Sequence, residues 1–258
     1  MRILVACEFS GVVRRAFREK GHDAWSCDLL SSEDSSEFHI KGDVLNILED
    51  GWDMIIAHPP CTYLSVSGMH WTTRGLRDPK LTEDALDFVK KFLNASAEKI
   101  ALENPISIIS SRIRKPDQII HPWMFGHNAS KKTCLWLKNL NPLKINPSQI
   151  IPPQGWENVV FSSDMDFCPH CCEEPFCKIH NAHYVTCPCI GPTEEDVFYR
   201  NIDGIMFATR NLNKPKPVWA NQTPSGQNKL GPSSNRWKLR SKTFKGIADA
   251  MADQWGRA

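Results

Sequence analysis

What the 258-residue chain lacks narrows its class first. No apolar run approaches the ~20 residues that a bilayer-spanning helix needs. The opening M-R-I-L-V-A-C-E-F is too short and too soon interrupted for a secretion signal, and it predicts a first buried strand instead. Internal repeats and low-complexity tracts are absent. Acidic residues are missing from Gly204 to Ala248, a stretch that holds nine Lys or Arg. With hydrophobic residues at 41% and charged residues at 23%, disorder is excluded as well. A soluble, cytoplasmic protein with no membrane contact is the expectation, and the composition points to no obligate protein partner.

Ten cysteines stand against those absences. Reducing compartments disfavour disulfides, so another use is needed. Six of the ten fall between Cys168 and Cys189, whereas Cys7, Cys27, Cys61 and Cys134 are scattered. The dense run reads Cys168-x-x-Cys171-Cys172, then Cys177-x-x-His180-x-x-His183, then Cys187-x-Cys189. Paired ligands at such spacing suit tetrahedral zinc in a structural role. Cys168, Cys171, Cys187 and Cys189 form one four-ligand set, Cys177 with His180 a competing pair, and one ion or two are open.

The first half alternates apolar runs with helical patterns. Strands are expected at Ile3–Ala6, Ala24–Cys27, Asp53–Ala57, Lys99–Leu102 and Cys134–Leu137. Helices are expected over Val12–Lys20, capped by Ser10, and over Thr82–Ala95. A last helix is expected over Ser241–Trp255, with Phe244, Ile247, Ala248, Met251 and Trp255 at helical spacing. That alternation predicts an α/β fold with a doubly wound, mainly parallel sheet. Asp28, His58-Pro59-Pro60-Cys61 and Glu103-Asn104 then lie at carboxyl ends of strands, where such sheets bind ligands. Residues 1–140 and 236–258 would form this domain, and 141–235 a small irregular module stapled by zinc.

Cys61 follows two prolines whose fixed φ sets where the thiol points, and as a thiolate it is the best side-chain nucleophile. Glu103, at the end of a neighbouring strand, can meet the pairing edge of a flipped cytosine. From Asn228 to Lys245 the chain interleaves Lys229, Arg236, Lys238, Arg240 and Lys242 with Trp237 and Phe244. That composition suits contact with phosphates, hence with DNA. Trp123, Trp136 and Trp255 are expected in the core.

The pair P-P-C-T-Y-L-S-V-S-G and E-N-P resembles the P-C and E-N-V signatures of DNA cytosine-5 methyltransferases, in order and separation. The short phage and prophage members are the most similar. The resemblance implies a Rossmann-like, S-adenosylmethionine-dependent methyltransferase fold. It implies that Cys61 attacks C6 of cytosine, that Glu103 holds N3 and the amino group, and that Pro60 and Asn104 shape and brace the loop. It further implies a methyl-donor pocket at Phe9, Gly11, Asp28 and Asp43, although the second glycine of F-x-G-x-G is missing. Ser130–Trp136 stands in place of the Q-x-R-x-R strand, basic but without the motif. The final helix matches the one that completes the donor site. Residues 1 to about 140 and the last twenty or so carry the likeness. Two other classes fit parts of the pattern. One is an amino-group methyltransferase using His58-Pro59-Pro60-Cys61. The other is a zinc-stapled DNA-binding protein with a degenerate core. RNA or a free nucleotide is a further substrate class.

Overall fold

The computed structural model describes residues 1–158, 176–177, 182–183, 198–209, 213 and 216–257. The chain divides into two units: Met1–Ile151 with Asn228–Ala258, and Pro152–Gln227.

The first unit is built on a seven-stranded sheet. In chain order its strands are β1 (Arg2–Ala6), β2 (Asp23–Asp28), β3 (His39–Lys41), β4 (Met54–Ala57), β5 (Lys99–Pro105), β6 (Gln118–Ile120) and β7 (Thr133–Lys138). They lie in the order β3-β2-β1-β4-β5-β7-β6. The first five strands are parallel, and β7 runs antiparallel to both β5 and β6. Ile3 to Ala6 and Met54 to Ala57 are wholly buried. Strands covered on both faces need continuous apolar runs rather than alternation, which is why these two were readable from composition. Trp123, Trp136 and Trp255 are in the core, as expected.

Helices α1 (Val12–Glu19), α2 (Val66–Thr73), α3 (Lys80–Leu93) and α4 (Ile109–Arg112) connect the strands, and α5 (Arg236–Ser241) and α6 (Lys245–Trp255) close the unit. The chain leaves β1 outward to β2 and β3, then returns to place β4 on the other side of β1. The direction of winding therefore reverses between β1 and β4, which opens a crevice beyond their carboxyl ends.

Two expectations are corrected. Ser10 does not cap α1: its Oγ is 3.5 Å from the Val12 amide, whereas buried Glu8 accepts from the amides of Val13 at 2.7 Å and Arg14 at 3.2 Å. Left-handed Cys7 (φ 59°) and Gly11 (φ 68°) fold the chain so that this carboxylate sits under the first turn, where a negative charge suits the helix dipole. The last helix begins at Lys245, not Ser241. The link is held extended because Lys242 pairs with Glu33 at 2.7 Å and Thr243 reaches Glu103 at 3.4 Å.

In the second unit β8 (Glu157–Asn158), β11 (Phe198–Ile202) and β12 (Ile205–Thr209) form a three-stranded antiparallel sheet, and β9 (Phe176–Cys177) pairs with β10 (Ala182–His183). The irregular module expected here thus contains regular strands. Asp203 (φ 49°) and Gly204 (φ 89°) make the tight turn between β11 and β12, as an Asp-Gly hairpin does. Phe207 is fully buried and stands edge-on to Trp219, ring centroids 6.3 Å apart.

Candidate active site

The parallel register pairs Ala57 with Leu102, so the next residues, His58 and Glu103, emerge side by side from β4 and β5. His58 Nδ1 lies 2.7 Å from Glu103 Oε2, and both side chains are 9% exposed. On its other oxygen, Glu103 faces Lys131 Nζ at 3.8 Å. Burial alone would raise the Glu103 carboxyl, but the Lys131 charge, the His58 contact and the Thr243 hydroxyl outweigh it and hold its pKa at about 2. Glu103 is therefore ionised in the folded protein.

Asn104, 1% exposed, donates from Nδ2 to the Pro59 carbonyl at 2.9 Å. Its side chain thus fixes the turn that carries Cys61 to the strand supplying Glu103. Beyond Cys61 the loop is held again: the Ser65 amide bonds the Cys61 carbonyl at 2.9 Å and the Ile108 amide bonds Leu64 at 3.0 Å. Cys61 itself has solvent access. The protein around it strips part of its hydration and pushes the thiol above its ordinary pKa, while Lys131 and Arg240 pull it back and Glu103 adds to the rise. The charges of Glu103, Lys131 and Arg240 thus all act on the Cys61 thiol.

Next to the His58–Glu103 pair is a small cavity of about 40 Å³, lined by Cys7, Glu8, Phe9, Ser10, His58, Ser241, Lys242 and Thr243. It lies at the reversal between β1 and β4. Phe9 packs its ring against Trp237, centroids 6.1 Å apart. Of the residues expected to hold a methyl donor, Phe9 lines this cavity. Gly11 does not: it heads α1 in a left-handed turn where a Cβ would meet the Arg14 guanidinium at 2.3 Å. Asp28 and Asp43 stand one strand further out, joined by the Gly42 amide on the Asp28 carbonyl at 3.0 Å. Asp28 accepts from the Leu30 amide at 2.9 Å, and burial raises its pKa; Asp43 accepts from the Leu45 amide at 3.0 Å.

The basic residues are unlike one another. Lys242 is paired with Glu33 in the cavity wall. Lys229 and Arg240 are exposed, Arg236 is half-buried, and Lys238 lies 5.6 Å from the Trp237 ring centroid. The ligands expected for zinc (Cys168, Cys171, His180, Cys187 and Cys189) lie outside the described residues. Of Cys177 only the backbone is described, paired with Ala182. Among the described residues no three His, Cys, Asp or Glu converge to hold a metal ion, and no helix is long and apolar enough to cross a membrane.

Sequence reasoning noted His58 beside the thiol but missed its bond to Glu103, and it missed Lys131 and Thr243 at the same carboxylate. The strand register that joins His58 to Glu103 has no local signal. Lys131 had one, because the S-K-K segment is basic and lies at the head of the expected strand Cys134–Leu137.

No protein-family model matches the chain, and no curated protein matches it. One solved structure that is similar is an E. coli protein encoded within a prophage and provisionally described as a DNA modification methyltransferase. It is 12% identical with a TM-score of 0.34, over 52% of this chain and 45% of that one. The match spans under half of that protein.

Proposed function

We propose that the chain methylates C5 of cytosine in DNA, with Cys61 as nucleophile and S-adenosylmethionine as methyl donor. The observation that carries this is the joining of the Cys61 turn to the Glu103 strand, through Asn104 and the Pro59 carbonyl at 2.9 Å. A nucleophile and a ring-holding carboxylate must be fixed relative to each other before a flipped base can lie between them. The Cys61 thiolate adds to C6 and makes C5 nucleophilic. Glu103 meets the pairing edge of the ring. With the methyl on C5, a solvent water takes the C5 proton, and the electron pair left behind re-forms the C5–C6 double bond and expels Cys61 as its thiolate.

The donor is assigned to the adjacent cavity by its place at the reversal between β1 and β4. His58 lines it, and its Nε2 is buried without a hydrogen-bond partner among the described residues, so a polar occupant would satisfy it. Phe9, Ser10, Lys242 and Thr243 would hold one side, and Asp28 and Asp43 the ribose and adenine side. When bound, S-adenosylmethionine supplies an electrophilic methyl group. The cysteine-rich run from Cys168 to Cys189 would bind structural zinc, one ion or two, in the unit that selects the DNA sequence.

The test is mass analysis of nucleosides after expression in a host free of DNA methylation. The expected product is 5-methyldeoxycytidine, absent with Cys61→Ser, and DNA carrying 5-fluorocytosine should trap a covalent complex with the wild type only. N4-methylcytosine or N6-methyladenine would overturn the reading in favour of amino-group transfer at His58-Pro59-Pro60-Cys61. Unmodified DNA that is nevertheless bound would favour a binding protein with a degenerate core.

A further inference from the structure

We propose that His58 supplies the proton through which Glu103 engages cytosine N3, an inference that rests on the cytosine-5 reading above. His58 is the first residue past β4, its amide locked on the Ala6 carbonyl at 2.9 Å. Its imidazole forms a wall between two compartments. Nδ1 is 2.7 Å from Glu103 Oε2, and the ring lines the donor cavity on its other side. The groups that face it are Glu103 from β5, Cys7 and Glu8 from the end of β1, and Lys242 from the link before α6, with Lys131 beyond Glu103.

The chemical need is specific. The pairing edge of cytosine offers N–H groups at N4 and a lone pair at N3. A carboxylate accepts from N4 but has nothing to give N3. Addition of the thiolate to C6 pushes electron density onto N3, which then requires a proton. Glu103 holds none at rest, because Lys131 and His58 stabilise its charge. A doubly protonated His58 resolves this. The Nδ1–H bond breaks as an O–H bond forms on Oε2, and the hydroxyl turns to N3 and delivers the proton while the Sγ–C6 bond forms. When Cys61 leaves, the N3–H bond breaks and the proton returns through Glu103 to Nδ1. The proton count of the pair is unchanged over the cycle, and no outside reductant or acid enters.

His58→Asn is the discriminating variant, since its amide can keep a donor toward Glu103 but has no proton to transfer. We expect kcat to fall on the order of 100-fold, with KM for donor and DNA little changed. A separate measurement covers a variant that folds poorly: trapping of the wild type on 5-fluorocytosine DNA should slow in heavy water, as the moving proton requires, and an unchanged rate would overturn the proposal by itself. So would His58→Asn with wild-type kcat, which would make the contact structural. Loss of rate confined to Lys131→Met would move the proton to Lys131 instead. A wild type that forms neither 5-methylcytosine nor a trapped adduct would overturn the cytosine-5 reading itself, a failure visible before any variant is compared.

Discussion

Glu103 is an ionised carboxylate with almost no water around it, and at the scale of single residues that is the most consequential fact about the site. Its folded pKa, about 2 against an ordinary 4.5, is lowered by its neighbours in spite of burial. The sign of the effect on stability follows. A carboxyl whose pKa is lower when folded stabilises the protein above the unfolded value, and that stabilisation is lost as pH falls from about 4.5 toward 2. The difference corresponds to about 3 kcal/mol in total. Urea denaturation as a function of pH should show the wild type losing stability more steeply than Glu103→Gln below about pH 5. Parallel curves would mean that Lys131 and His58 do not hold the charge. Asn104 is the other residue whose removal is informative. Asn104→Ala leaves the Pro59 carbonyl without its buried donor, a loss of about 1–3 kcal/mol. It should slow methylation far more than it weakens donor binding, because the turn it anchors carries Cys61 and not the cavity wall.

At the scale of elements, the placement of α6 decides whether the crevice is closed. Gly246 lies so near the turn Pro122–Phe125 that a Cβ there would stand 2.0 Å from the Phe125 carbonyl, and its amide donates to His127 Nε2 at 2.8 Å. Gly246→Ala should destabilise by about 1–3 kcal/mol. It should also weaken donor binding, because Lys242 and Thr243, four and three residues upstream, are tied to Glu33 and Glu103. Gly231, where a Cβ meets nothing, is the control and should tolerate alanine within about 0.5 kcal/mol. Thermal melts and donor titrations of the two variants check this, and equal behaviour would show that α6 tolerates displacement.

Elements whose burial is two-sided or strongly periodic were legible in the sequence: β1, β4 and α3 lie within a few residues of their expected positions. The cap of α1 was not, because Glu8 reaches the helix only through the left-handed turns at Cys7 and Gly11. The break between Ser241 and Lys245 was not, because no proline or glycine marks it and tertiary contacts hold it open. The β11–β12 hairpin did carry a local sign, Asp203-Gly204 between apolar residues, within a stretch that looked irregular. In the candidate site, Cys61, Glu103 and Asn104 were visible as strand-end residues. The contact of His58 with Glu103 depends on the register of β4 against β5, and register is settled by packing rather than by either strand alone.

At the scale of the whole molecule, a formal charge of +2 conceals a separation of charge, with nine basic residues and no acid between Gly204 and Ala248. Structure sorts the basic residues further. Lys242 and Lys245 are committed to Glu33 and Asp249. Lys229 and Arg240 are exposed, and no ion pair is found for either among the described residues. In the proposed function, phosphate contact would therefore fall to Lys229 and Arg240 before Lys242. DNA affinity should drop steeply with salt, and replacing Lys229 or Arg240 with alanine should weaken binding equally on all sequences and reduce the salt slope by about 1 each. Lys242→Ala should leave the slope nearly unchanged and instead lower donor affinity, since its ammonium closes the cavity wall against Glu33. Arg240→Ala should also slow the reaction, because a charge that favours the Cys61 thiolate is lost. Filter binding across a salt series, beside calorimetric titration of the donor, separates these effects. If Lys242→Ala flattens the salt slope while Lys229→Ala and Arg240→Ala do not, the Lys242–Glu33 pair opens on DNA, and the link between α5 and α6 is itself part of the DNA-contacting surface.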